Sequence, residues 1–276
     1  MTTGSAAARG RGRARRAADS KAVAAGARAG FVARGIIYVL IGVLSLRITF
    51  SGGGGRQADR GGAVAEIAGK PFGAALLWLL GTALAGMALW RLSGAAFGQA
   101  GPDGKRAMAA GRSVFYGFVS YSVLSYAAGD KGSGSGSSDE NSRDVTAKVL
   151  DWPAGQWIVA IAGAAVAAAG VWIAVRALRR KFREHLKMSG MTPKTCQMVT
   201  ALGVFGGAAR GVVFAVAGGF AVTAAVQHKP GKAKGMDDTL RSFADTPVGP
   251  WLLVFIAVGL MTYGVFSLAC ARWRKL

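Results

Sequence analysis

Three arginines carry the only repeated polar signature in the chain. Ala33-Arg34-Gly35-Ile36-Ile37-Tyr38, Gly111-Arg112-Ser113-Val114-Phe115-Tyr116 and Ala209-Arg210-Gly211-Val212-Val213-Phe214 share one order. It is small–Arg–small, two apolar residues, less strictly kept in the second copy, and then an aromatic. A guanidinium stays charged and offers a fixed fork of donors, so the chemistry available at these positions is recognition of an anion or of carbonyl oxygens. Three readings stand open for each arginine. It anchors its helix by snorkelling to headgroups, pairs with helix-end carbonyls of a neighbouring unit, or joins the other two in an anion or lipid-headgroup site. Placement near the inner interface favours the first. Arg210 is the most unusual, because apolar residues also precede it from Met198 to Ala209.

Other chemistry is sparse. Cys196 and Cys270 are far apart and lack CxxC spacing, and His185 and His228 are isolated, so no zinc site, redox pair or cofactor is expected. Ser113, Ser120, Ser122 and Ser125 sit together in one apolar segment. No histidine or lysine base lies nearby in sequence, which makes helix packing a better role for them than nucleophilic catalysis. Outer-loop acids such as Glu66, Asp144 and Asp238 do not occupy equivalent repeat positions, so an enzyme is not expected.

The elements that must position the arginines are six apolar segments: Phe31–Phe50, Phe72–Leu92, Ser113–Ala128, Ala154–Val175, Phe205–Val226 and Val248–Ala271. Each approaches the ~20 residues needed to cross ~30 Å of hydrocarbon at about 1.5 Å per residue. None of the six contains Asp, Glu or His, which counts against proton relays and acidic cation filters. The chain is 276 residues long, 52% hydrophobic and 17% charged. A soluble domain usually carries about 25% charged residues. The net charge of +21 would suggest nucleic acid on a soluble protein; here it implies basic loops against anionic headgroups.

Charge also orients the segments. The N-terminal arm, the second connection (Lys105, Arg106), the fourth connection (Arg176, Arg179, Arg180, Lys181, Arg183, Lys187, Lys194) and the tail (Arg272, Arg274, Lys275) are basic. With six alternating helices they fall on one side, predicted to be cytoplasmic together with both termini. Most acids fall on the other side. The first segment lacks a clear small-x-small cleavage site before Ser51, and no hydrophobic pair follows Arg15-Arg16, so it reads as a retained helix rather than a signal peptide.

The arginine pattern recurs with a second one. Lys70-Pro71-Phe72-Gly73, Trp152-Pro153-Ala154-Gly155 and Thr246-Pro247-Val248-Gly249 open the even segments, 37, 41 and 37 residues after Arg34, Arg112 and Arg210. The longer middle spacing matches the flexible run Gly132–Ser138. Each proline is expected in the first turn of its helix. Before it lies a short interfacial helix with apolar residues at matching places, namely Val64 and Ile67, Thr146 and Val149, Leu240 and Phe243. A two-helix unit inserts the same way up each time, so the expected fold is an all-α membrane protein of six transmembrane helices in three parallel tandem repeats. A ring of approximate threefold symmetry is the expected closure. The units are residues 29–100, 101–180 and 199–276, with a basic arm (1–28) and a basic amphipathic connector (181–198).

These motifs resemble the bacterial membrane family known as domain of unknown function 1206, whose members contain three copies of a paired-helix region. The resemblance covers roughly Ala29 to Trp273 and rests on the Ala-Arg-Gly-x-x-Tyr/Phe and Pro-x-Gly openings; the second copy departs from it at Ser113. It implies a fold and a multi-pass location in the bacterial inner membrane, and no activity.

Small residues recur every four positions at Gly203, Gly207, Gly211, Ala215 and Gly219, with Gly163 and Ala167 as a shorter version, giving stripes for close helix approach. The arm Arg9–Arg16 reads as a topogenic tail touching anionic lipid, with no nucleic acid expected. Leu178, Phe182 and Leu186 predict an amphipathic helix over Arg176–Lys187. The expected function is a structural or interaction component of the cell membrane, partnered by the bilayer and by a second copy or another membrane protein. The alternative is a small channel or transporter for a neutral or anionic solute through the centre of the repeats. Either requires the chain to stay in the membrane fraction after a high-salt alkaline wash; release as a monodisperse species without detergent would refute both.

Overall fold

The computed structural model describes residues 21–50, 57–96, 103–129, 138–244 and 249–275. Within them lie nine α-helices and no strand. Six are long: α1 (Lys21–Phe50), α3 (Gly73–Ala96), α4 (Asp103–Ala127), α6 (Gly155–Leu178), α7 (Pro193–Val226) and α9 (Gly249–Trp273). Three are short and follow the odd-numbered apolar segments: α2 (Arg60–Ala68), α5 (Ser138–Leu150) and α8 (Met236–Ala244). Long helices form here despite many glycines because a backbone in an apolar medium must satisfy its hydrogen bonds internally. Five long helices are apolar enough to cross a membrane: Ala24–Phe50 within α1, α3, α6, α7 and α9. Helix α4 has comparable length, 25 residues, but its polar start and serines make it less apolar. Leu79, Phe118, Trp157, Ile161, Val171 and Phe255 point outward and are exposed. So much apolar surface is foreign to a soluble monomer and marks a multi-pass membrane protein.

The long helices follow one another around the bundle in chain order. Helix α3 packs between α1 and α4, α7 packs between α6 and α9, and α9 closes on α1. One junction is missing. Helices α4 and α6, the pair belonging to the middle repeat, do not pack along their lengths.

The junctions between successive repeats use equivalent residues. One residue after each motif arginine, a small residue meets the residue 17 positions beyond the preceding repeat's proline. A Cβ on Gly35 would come within 2.9 Å of the Gly264 carbonyl oxygen, and one on Gly211 within 2.7 Å of the Gly170 carbonyl oxygen. In the middle copy Ser113 Oγ donates to the Ala88 carbonyl at 2.8 Å. A second layer lies two turns on. A Cβ on Gly42 would come within 2.7 Å of the Ala257 oxygen and one on Gly218 within 2.6 Å of the Gly163 oxygen, while Ser120 Oγ donates to the Gly81 oxygen at 2.8 Å. Glycine lets the backbones touch, and serine replaces that contact with a hydrogen bond.

The missing junction coincides with a departure in the sequence. Within the first and third repeats, Gly30 lies against Ala83 and Met87, and Gly206 lies against Tyr263. Four residues before its own arginine, the middle repeat has Met108 instead, which is exposed. At the position where the other two repeats touch, the middle repeat thus carries a bulky side chain in place of glycine.

Several expectations are corrected. Pro71 and Pro153 stand in the turn before the helix, not in its first turn. Gly73 N donates to the Lys70 oxygen and Gly155 N to the Trp152 oxygen, both at 2.9 Å. Each is a β-turn with proline second and a positive φ third, at Phe72 (61°) and Ala154 (64°). The glycine then starts the helix because no Cβ fits there; on Gly73 it would sit 2.5 Å from the Ile67 oxygen. Pro247 lies outside the described residues, as does the arm over residues 1–20. Helix α1 nevertheless begins at Lys21, and α7 begins at Pro193, capped by Thr192. The connector is not an amphipathic α-helix. Arg180 takes a left-handed conformation (φ 55°), and the chain continues as 3-10 turns over Lys181–His185 and Met188–Gly190. Lys187 N donates to the Trp273 oxygen (2.8 Å) and Lys275 N to the His185 oxygen (3.0 Å), tying the connector to the tail. Leu186 is buried and Phe182 stacks on Phe266, while Leu178 remains exposed.

The short helices form a cap over one end of the bundle. Val64, Ile67, Thr146, Leu240 and Phe243 are buried beneath it. Asp59 caps α2 by accepting from Gly62 N (2.8 Å). Asp237 on α8 accepts from Ala58 N and from Arg241, each at 2.7 Å, and Arg143 on α5 pairs with Asp238. The small-residue stripe on α7 packs as follows: Gly203 on Phe182 and Phe266, Gly207 on Ala177, Gly211 on Ala174, Gly218 on Ala167. Gly219 faces open space, because a 3.6-residue period has rotated a strict four-residue stripe off the contact by then.

Replacing Gly211 with Leu should therefore lower the thermal midpoint in detergent, by the equivalent of about 1–3 kcal/mol for overpacking. Gly219→Leu should leave it unchanged. Equal effects at both positions would contradict this packing.

Candidate functional site

Around the open junction lies a cavity of about 560 Å³. Helices α1 and α7 form one wall, α4 stands at one side, α6 forms the opposite wall, and α5 with residues 233–236 covers the cap end. Four cationic side chains line it: Arg34, Arg60, Arg210 and Lys234. Among the described residues no Asp or Glu lines it. The wall from α6 is wholly apolar, with Ile158, Val159, Ala162, Gly163 and Val166. The site is cationic on one side and oily on the other.

Arg34 and Arg210 are brought together and held from behind. Arg34 Nε donates to Ser267 Oγ (2.9 Å) and its Nη1 to the Tyr116 hydroxyl (3.4 Å). Ser267 in turn donates to the Phe31 carbonyl (2.8 Å). Arg210 Nη1 donates to the Tyr263 hydroxyl at 3.0 Å. The Arg210 guanidinium lies over Tyr38 (5.6 Å), Phe214 (5.1 Å) and Tyr263 (5.0 Å), and Arg34 lies over Phe31 (4.8 Å) and Tyr263 (5.4 Å). Tyr263 is thus shared between both cations and packs edge-on to Tyr38 at 4.8 Å. Ring faces offset part of the cost of burying a cation, by about 0.5–2 kcal/mol each. They do not neutralise it. Arg210 Nε is buried without a hydrogen-bond partner among the described residues.

Arg60 enters from the cap, with its guanidinium 5.1 Å from the Phe115 ring centroid. Burial pulls its pKa below the ordinary arginine value, while Tyr38, Asp59 and Tyr116 act in the opposite direction. Tyr116 lies within electrostatic reach of Arg34, Arg60 and Arg210 alike. Arg34 and Arg210 each stand 16 residues from the cap end of their helix (Phe50 and Val226), a depth of about 24 Å at 1.5 Å per residue.

Arg112 does not join them; it is exposed on α4. Repeat register supplies the reason. Ser267, which accepts from Arg34, lies 20 residues after Pro247. The same offset after Pro71 gives Arg91, which stands in repulsive range of Arg112. After Pro153 it gives Ile173, which offers Arg210 no acceptor. One arginine is partnered, one exposed and one left with an unused donor.

The family assignment belongs with this register. A family model described as "Domain of Unknown Function (DUF1206)" matches three times, at residues 29–98, 107–180 and 205–274. The chain belongs to the DUF1206 family. A relative in Bacillus subtilis (strain 168), "Uncharacterized protein YxxB", is 26% identical over 242 residues, covering 87% of each chain. No solved structure matches. The three matches frame the three arginine motifs of this DUF1206 chain, so the divergence of Arg112 from Arg34 and Arg210 is a difference between copies of one unit.

Sequence reasoning passed over Arg60, Tyr38, Tyr116 and Tyr263 as site residues. Arg60 had a signal: counted back from the prolines it aligns with Ser142 and Met236, so only one copy places a cation there. Tyr263 had none, because its hydroxyl meets Arg210 across 53 residues. Of the structural residues, Pro71 and Pro153 shape the cap-end turns, and Gly203, Gly207 and Gly211 seat α7 against its neighbours. Among the described residues no three His, Cys, Asp or Glu side chains gather as a metal site.

Tyr263→Phe keeps the ring and removes the acceptor for Arg210, so it should cost about 1–2 kcal/mol in thermal unfolding. The exposed Tyr121→Phe should cost nothing measurable. An unaltered midpoint for Tyr263→Phe would show that the hydroxyl does not support Arg210.

Proposed function

We propose that this DUF1206 protein is a six-span protein of the bacterial inner membrane that binds an anion between its repeats. One observation carries the reading: Arg34, Arg60, Arg210 and Lys234 converge on one cavity whose described lining residues include no carboxylate. A cation held in an apolar surrounding is costly unless an opposite charge joins it. Here an incoming anion supplies the balance, with Arg34 and Arg210 as the donors already oriented.

The bundle axis supports binding over passage. Leu44, Leu253 and Leu260 are fully buried in one apolar cluster that reaches the cavity wall at Leu84, so packed apolar side chains border the anion site. The protein accordingly acts as an interaction component whose ligand is anionic, and not as an enzyme. Ser113 and Ser120, the best-placed hydroxyls, already donate to α3 carbonyls. The equivalent repeat junctions support a pseudo-threefold arrangement, with α4 as the sixth span. The basic connector and tail at one end, with the acids of the cap at the other, support cytoplasmic termini.

Purified full-length protein in neutral detergent at fixed ionic strength tests this. Inorganic phosphate or sulfate should raise the thermal midpoint in a saturable way. Arg210→Met should weaken the apparent affinity by about tenfold or more, since each factor of ten corresponds to ~1.4 kcal/mol. Proteoliposomes should show no flux of the same anions. No anion-dependent shift would sink the binding reading, and flux lost in an Arg34, Arg112 and Arg210 to Ala variant would favour transport.

A further inference from the structure

The cavity also indicates how its ligand arrives. Its cap end is covered by Ser142, Thr146 and Val149 of α5 and by the segment 233–236. Its flank is different, because α4 and α6 do not close on each other there. Phe115 (49% exposed), Ile158 (47%) and Val166 (41%) line the cavity and also reach the outer surface. The slot between α4 and α6 therefore opens sideways, through apolar side chains, onto the flank of helices that cross the membrane. A hydrated ion approaching by that route would have to shed its water in hydrocarbon, at a prohibitive cost.

Resting on the anion-binding reading, we infer that the ligand is an anionic phospholipid that enters from the bilayer between α4 and α6. Its phosphate would lie against Arg34, Arg60 and Arg210, with one acyl chain along the α6 wall. Each part of the cavity fits one part of such a molecule. The cationic wall faces the phosphate, and Ile158, Val159, Ala162 and Val166 offer an unbroken apolar surface to the chain. Arg34 and Arg210 stand 13 and 17 residues from the starts of α1 and α7 and 16 residues from their cap ends, near the middle of each helix. The volume of about 560 Å³ is that of a small-ligand site, so one chain lies inside while the rest of the lipid stays in the bilayer through the slot. The opening coincides with a departure in this chain: Met108 stands where Gly30 and Gly206 let the other two repeats close.

The experiment uses full-length protein in neutral detergent and compares four additions: phosphatidylglycerol, phosphatidylcholine with the same acyl chains, glycerol phosphate and inorganic phosphate. Phosphatidylglycerol is expected to raise the thermal midpoint at concentrations at least tenfold below those at which either soluble phosphate acts, and phosphatidylcholine to have little effect. Two variants locate the effect. Arg60→Met removes a cation contributed from the cap, outside the bundle's long helices. Ala162→Trp fills the chain-binding wall and leaves every arginine in place. Both should weaken the phosphatidylglycerol effect at least tenfold, and Ala162→Trp should leave the response to inorganic phosphate intact. Soluble phosphate acting as well as or better than the lipid would overturn the lipid assignment and leave the anion site standing. A phosphatidylglycerol effect undiminished in both variants would place the lipid elsewhere, on the basic connector, and overturn the slot. No response to any of the four would overturn both readings together.

Discussion

Close approach of helix backbones is the constraint from which the rest of this bundle follows. In a hydrocarbon surrounding no water drives apolar helices together, so they associate where small residues let them touch. Gly35 with Gly264, Gly211 with Gly170, and Ser113 with Ala88 make that contact at three equivalent junctions. A second layer repeats it at Gly42, Ser120 and Gly218. Where the small residue is lost, at Met108, the contact is lost too. The bundle is a ring with one open joint, and the open joint is the origin of its cavity.

Charge then acts on this geometry. The three motif arginines begin from equivalent positions in the chain but not from equivalent surroundings. What each meets is set by the residue 20 places after the proline of the preceding repeat: Ser267 for Arg34, Arg91 for Arg112 and Ile173 for Arg210. A hydroxyl holds the first, the second is exposed, and the third rests on the Tyr263 hydroxyl and the aromatic faces of Tyr38, Phe214 and Tyr263. The three repeats supply three equivalent cations, and the difference in their neighbours leaves two of them lining one cavity.

The cap ties the repeats together at the opposite end from the basic connector. Its helices cannot stand alone at nine to thirteen residues, since isolated helices shorter than ~12–15 residues are marginal in water. They are held by burying one face and by cross-connections such as Asp237 to Ala58 N. The Pro-x-Gly turns return the chain from this layer into the bundle. Arg60 is carried into the cavity by the first of these helices, so the cap contributes to the site as well as to stability.

Much of this was legible in the residue order. Long uncharged stretches require helices when backbone groups have no water to bond with, and the recurrence of Arg34, Arg112 and Arg210 with Pro71, Pro153 and Pro247 marks three copies of one unit. The short cap helices were visible in the spacing of Val64 and Ile67, or of Leu240 and Phe243. The turn at Pro71 and Pro153 was mistaken for a first helical turn because proline suits both, and the left-handed φ of Phe72 and Ala154 has no marker in residue type. The connector was mistaken for a helix because Leu178, Phe182 and Leu186 have helical spacing, whereas the fold needs two of them on different neighbours. Sequence alone determined the medium, the repeat and the candidate cations, because hydropathy, periodicity and formal charge are properties of the chain itself. Which arginines share a cavity, and that the cavity opens sideways, was decided only by tertiary structure. Those outcomes depend on what stands across a helix junction, tens to hundreds of residues away, where one methionine or one serine changes the result.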